Sequence, residues 1–139
     1  MTAAQPLLAA SECEQMLDLL ARHKSAPAIA DILADAREIR LLLSRYSFRT
    51  PETAERLCAE ISSRYRSEIL ILSGNSMLLR RQSSSVYLRL EQLLSLLVRV
   101  ALLRLSRTGA LNVSQTQLMH SDGMLLVLLQ RRLQTKTDG

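Results

Sequence analysis

Apolar residues recur along this chain at three- and four-residue steps, the spacing of helices that bury one face. Met16, Leu17, Leu19 and Leu20 form the first such group. Ser11-Glu12-Cys13-Glu14 precedes it with capping-box spacing: the Ser hydroxyl accepts from a backbone N–H three residues on, and Glu14 reaches back. This predicts a short first helix from Ser11 to about His23, with residues 1–10 as a loose leader. Ile29, Ile32, Leu33, Ala36, Ile39, Leu43 and Tyr46 mark a second helix. Ser25-Ala26-Pro27 opens it, with Ser as cap and Pro in the first turn, where its missing N–H is not needed. Ser47-Phe48-Arg49 is the break. Thr50-Pro51-Glu52 opens the third helix in the same way. Its stripe is Ala54, Leu57, Cys58, Ile61, Tyr65, Ile69 and Leu72, and Gly74 is its expected left-handed cap.

The fourth helix begins between Ser76 and Ser85 and runs to about Arg107. Val86, Leu90, Leu93, Leu94, Leu97, Val98, Ala101, Leu102 and Leu105 cover more than half of its circumference, which predicts a buried helix. Its charges, Arg89, Glu91, Arg99, Arg104 and Arg107, are expected on the remaining exposed edge. Thr108-Gly109 closes it, and Leu111 to His120 reads as a loop with at most one short turn. Ser121-Asp122-Gly123 caps a last helix to about Thr135, apolar at every position from Met124 to Leu129. The prediction is an all-α, single-domain bundle of about five helices over residues 11–135, with a central buried fourth helix and a flexible tail at 136–139. The fourth and last helices carry more apolar surface than so short a chain is expected to cover. A protein partner is therefore expected at Leu93, Leu97, Val100, Arg104, Leu125, Leu126, Leu128 and Leu129.

Composition strengthens the helical reading. Of 139 residues, 47% are hydrophobic and 22% charged, with 4 Gly, 3 Pro and 3% aromatic. The apolar content is mostly Leu and Ala, which favour helix over strand. Cys13 and Cys58 form no C-x-x-C pair, so neither a disulfide framework nor a zinc site follows, and both are expected as buried thiols. The first ten residues lack a basic region and Glu12 and Glu14 follow, which argues against a secretory or mitochondrial signal. Leu93 to Leu105 is too short to span a bilayer and is interrupted by Ser95, Arg99 and Arg104. The expectation is a soluble intracellular protein of nucleus or cytoplasm, without a membrane partner.

Charge divides the chain. Residues 1–69 carry nine Lys/Arg and ten Asp/Glu, whereas residues 70–139 carry nine and three. Arg80, Arg81, Arg107, Arg131, Arg132 and Lys136 make a candidate basic patch that suits an acidic partner or a phosphate backbone. Only Tyr87 offers a stacking ring in that half, so single-strand recognition is not signalled. Catalysis needs clustered acids, bases and nucleophiles. His23 and His120 are far apart and have no metal-ligand neighbour at helical spacing. Asp31, Asp35 and Glu38 alternate with Arg37 and Arg40, the pattern of a solvated, ion-paired face. No catalytic, metal or cofactor site is expected. Arg80-Arg81-Gln82-Ser83 has the spacing of a basophilic kinase site at Ser83.

Leu78-Leu79-Arg80-Arg81 leading to Val86-Tyr87-Leu88-Arg89, followed by Ser121-Asp122-Gly123-Met124, resembles the GINS family, accessory subunits of the eukaryotic replicative helicase. The resemblance covers most of the chain loosely. It implies a scaffold subunit of a heterotetramer engaged in DNA replication, with the fourth and last helices at subunit contacts and no catalytic residue. Members usually carry a small β domain as well, have Ala where Val86 stands, and bear aromatics on the last helix. Independently of that resemblance, the residues predict a non-enzymatic subunit that docks on other proteins, a hetero-oligomer before a homodimer. A basic component of a ribonucleoprotein and a homodimeric adaptor or chaperone are the alternatives.

Overall fold

The computed structural model describes the backbone of residues 5–23, 26–44, 51–73 and 85–138, and the side chains of 11–23, 27–44, 51–72 and 85–133. Every regular element among them is helical: α1 (Gln5–Ala21), a 3-10 turn (Ala26–Ile29), α2 (Ala30–Ser44), α3 (Pro51–Arg64), α4 (Arg66–Ser73), α5 (Val86–Arg107), α6 (Gln115–Leu118) and α7 (Asp122–Asp138). The all-α prediction holds, but seven α-helices replace about five. Two local causes account for the difference. The expected third helix is interrupted at Tyr65 into α3 and α4, although the Tyr65 N–H still bonds to Ile61 O at 3.1 Å and the Ile69 N–H to Tyr65 O at 2.9 Å. The loop before the last helix contains α6, a single turn held by reciprocal Ser114–Gln117 hydrogen bonds.

α5 is the axis. Every residue from Leu93 to Leu103 is buried, and α1, α2, α3, α4, α6 and the 3-10 turn all pack against it. α1 presents Cys13, Met16, Leu17 and Leu20 inward, and α7 packs chiefly on α1. α1 starts at Gln5, so Ser11 lies inside a helix and does not cap one. The Leu and Ala residues from Leu7 to Ala10 extend the helix N-terminally, and Pro6 sits in its first turn, where it is tolerated. Gly109 stops α5 in the left-handed region at φ +77°, beyond a Thr108 cap. Ser121 caps α7, accepting from the Met124 N–H at 3.4 Å. The caps expected at Ser25, Thr50 and Gly74 lie outside the described residues.

The polar residues of the core form two networks. In the first, Asp35 is buried on α2, where it accepts from the Tyr65 hydroxyl at 2.6 Å and from Arg64. Arg104 bonds both oxygens of Glu68 at 2.9 Å, reaches Asp31 at 2.9 Å, and lies 5.2 Å over the Tyr65 ring. This ties α2, the α3–α4 break and α5 together. The expectation of a fully solvated acidic face on α2 is thereby corrected: Asp35 sits within the Ile32–Ala36–Ile39 stripe and faces inward.

The second network centres on Arg99, expected on an exposed edge but only 4% accessible. Its guanidinium donates to Leu118 O at 2.9 Å, Ser95 O at 3.1 Å, His120 O at 2.6 Å and Asp122 Oδ1 at 2.7 Å, and also to the Ser95 hydroxyl. Burial of a guanidinium is tolerable when its donors are used and its charge is met. Here both conditions hold, and the result is a latch that fixes the α6–α7 connection to the central helix.

Candidate functional site

Helix α7 is packed on one side and open on another. Six consecutive apolar residues cannot share one side of a helix that turns about 100° per residue. Leu125, Leu126 and Leu129 turn inward and are buried, whereas Met124 is 58% and Val127 47% exposed, with Leu128 half-buried between them. Met124, Val127, Leu128 and Arg131 are spaced as one continuous helical stripe. With His120, Ser121, Gly123 and Arg132 they line an open groove of about 660 Å³. Its floor is apolar and its far end carries two arginines. Arg132 makes a long 3.4 Å contact to the neutral Gln117 side chain.

The latch beneath gives the groove a fixed base. Asp122 at the start of α7 takes hydrogen bonds from Arg99, from the Ser95 hydroxyl at 2.8 Å and from the Cys13 thiol at 3.5 Å. Burial first, and the neighbouring Asp122 carboxylate second, hold the Cys13 thiol far above its ordinary range, so it is an unreactive structural thiol. Ser95 is likewise buried and held between Arg99 and Asp122. A smaller cavity of about 210 Å³ lies between α4, α5 and α6, floored by Leu72, Leu103 and Leu118 and edged by the exposed Ile71 and Met119. Among the described residues, no three His, Cys, Asp or Glu side chains are grouped to hold a metal ion, and no helix is long and apolar enough to cross a membrane.

The residues expected at a partner interface are divided by the fold. Leu93, Leu97, Val100, Leu125, Leu126 and Leu129 fill the chain's own core. Arg104 is engaged with Glu68 and Asp31, and Leu128 alone of the eight borders the groove. The chain covers α5 by wrapping six elements around it. Among the described residues it leaves exposed Leu41, Leu70, Ile71, Leu88 and Met119, and the outer stripe of α7, where Met124 and Val127 were not singled out beforehand. The signal was present: a helix with one inward stripe at 125, 126 and 129 must point 124, 127 and 131 elsewhere.

The basic half is also partly spent internally. Arg89 pairs with Glu55, Arg99 with Asp122, and Arg104 with Asp31 and Glu68. Of the expected basic patch, Arg107 and Arg131 are exposed and Arg132 is half-buried. Arg80, Arg81 and the candidate phosphorylation site Ser83 lie outside the described residues, as does the Lys136 side chain. No family model, curated protein or solved structure matches the chain. The resemblance to the GINS family therefore stands on the sequence motifs alone, of which Val86-Tyr87 opens α5 and Ser121-Asp122 opens α7.

Proposed function

We propose that this protein is a non-enzymatic helical subunit that docks a partner protein on the outer face of α7. The observation that supports the reading is the second apolar stripe on that helix. Met124 and Val127 are large apolar side chains left at about half exposure on an element whose opposite face is fully packed. A helix needs one apolar face to join its own core; a second one has no role in the isolated fold and is suited to an interface. The Arg99 latch supports the same reading. It holds the α6–α7 corner in one geometry, which lowers the ordering cost of binding. The acids of the two networks are engaged structurally: Asp35 by Tyr65 and Arg64, Glu68 and Asp31 by Arg104, and Asp122 by Arg99.

The test is site-specific photo-crosslinking in cells that express the chain. A photoreactive residue at position 127 is expected to trap one defined protein, and one at exposed Arg37 on α2 is not. Identical products from both positions, or none from position 127, overturns the reading.

A further inference from the structure

We propose that the peroxide-sensitive sulfur of this protein is the Met124 thioether on the open face of α7, and that its reversible oxidation to a sulfoxide weakens docking there. The chemistry stands on the placement of the sulfur groups; its consequence rests on the docking reading above. Met16 is fully buried on α1, Met119 at the end of α6 is 38% exposed, and Met124 in the first turn of α7 is 58% exposed. Met124 borders the open groove beside Val127 and Leu128, where a small solute reaches it. Oxidation of a methionine follows access to its sulfur, because a thioether needs to lose no proton first. The two cysteines do not compete. Peroxide attacks a thiolate, not a thiol. Cys13 is buried, and burial and then the Asp122 carboxylate keep its thiol protonated. Cys58 is half-buried, and burial likewise raises its thiol above the ordinary value of 9.0.

In the step itself, a lone pair on the Met124 sulfur attacks one oxygen of hydrogen peroxide. The O–O bond breaks as the S–O bond forms, and sulfur gives up two electrons. The proton on the transferred oxygen passes to the departing hydroxide, which leaves as water. A methionine sulfoxide reductase, with a dithiol as the electron source, removes the oxygen as water and restores the thioether. The change falls on the surface and spares the core, since Leu125, Leu126 and Leu129 are the residues of α7 that turn inward. In the free chain the new oxygen meets solvent. Against an apolar partner surface beside Val127 it would be desolvated without a donor, which is costly. Docking and oxidation therefore oppose each other: the partner shields Met124, and the sulfoxide weakens the partner's hold.

The experiment has two readouts. The purified full chain is treated with hydrogen peroxide, and each methionine and cysteine is followed by peptide mass mapping. Met124 is expected to gain an oxygen several times faster than Met119, and Met16 only once urea unfolds the chain, with helical circular dichroism unchanged by the Met124 sulfoxide. Oxidation of Met119, Met16 or either cysteine as fast as Met124 overturns the proposal. In lysate, the photo-crosslinked product from position 127 is expected to fall about tenfold after peroxide, the loss set by one unpaired polar group. Sulfoxide reductase with dithiothreitol should restore it, and Met124→Leu, which keeps the apolar volume, should make it insensitive to peroxide. A product that peroxide leaves unchanged, or lowers equally in Met124→Leu, overturns the proposal and leaves the docking reading intact. No product from position 127 even before peroxide overturns the docking reading and the regulation built on it, and the mass mapping then decides the chemistry separately.

Discussion

Replacing Arg99 with Met tests the latch with little change in side-chain volume. The guanidinium donates to two carbonyls of the α6–α7 connection, to Ser95 and to Asp122. Its loss strands the Asp122 carboxylate, whose side chain is only 19% exposed, and leaves the Leu118 and His120 carbonyls seeking water. Removing one partner of a buried ion pair costs ~3–5 kcal/mol. The Ser95 and Cys13 donors remain on Asp122, and the loop can relax towards solvent, so the lower end applies, ~3 kcal/mol. For a chain of this length that corresponds to a fall in Tm of ~12 °C at about 4 °C per kcal/mol. Urea unfolding followed by circular dichroism measures it, with hydrogen exchange locating the loss at 114–133. Adding Asp122→Asn to Arg99→Met should recover part of the loss, because the stranded charge is removed. A single Arg99→Met variant within ~1 kcal/mol of the parent, or a double variant less stable than the single, would refute the latch.

Leu97→Ala in the fully buried centre of α5 should cost ~3 kcal/mol in urea unfolding, whereas Val127→Asp on the open face should cost under ~0.5 kcal/mol and abolish partner binding. Gly109→Ala should cost ~1 kcal/mol through its left-handed backbone alone, since a Cβ there meets nothing within 4 Å. Burial, and then the Asp35 carboxylate, raise the Tyr65 hydroxyl above its ordinary value of 10.0. A group with a raised folded pKa stabilises the fold fully below the unfolded value and loses that effect as pH climbs past it. Alkaline unfolding above about pH 10 should therefore weaken in Tyr65→Phe, measured as stability against pH. Burial pushes the Asp31 carboxyl up, but Arg104 outweighs it and the net shift is downward. Its contribution is present above 3.8 and lost as pH falls through the lowered value, so Asp31→Asn should flatten the acid limb of the same curve.

The sequence made α5 legible because its apolar residues occupy most of the circumference and Gly109 marks its end. Ser121 announced α7 in the same way. Position 35 was legible in principle, since it falls on the Ile32–Ala36–Ile39 stripe, but an acid among alternating charges reads as solvated until Tyr65 is seen to meet it. Arg99 could not be placed from local pattern, because its partner Asp122 is 23 residues away and its other acceptors are backbone carbonyls. Of the residues named for a partner interface, Leu93, Leu97, Val100, Leu125, Leu126 and Leu129 fill the chain's own core and Leu128 borders the open face of α7. Periodicity shows that a run of six must face two ways, but only the packing of α7 on α1 decides which three turn out. The basic excess of residues 70–139 suggested a charged surface; arginines 89, 99 and 104 meet carboxylates through tertiary contacts that net charge does not reveal.

On the docking proposal, the chain closes its own core and the outer stripe of α7 is left for a different protein. Light scattering of the purified chain alone tests both parts at once. The predicted result is a helical monomer of 15.6 kDa whose mass does not change on Val127→Asp. A helical homo-oligomer that falls to monomer on Val127→Asp would contradict the account, because a second copy would then be what covers the face.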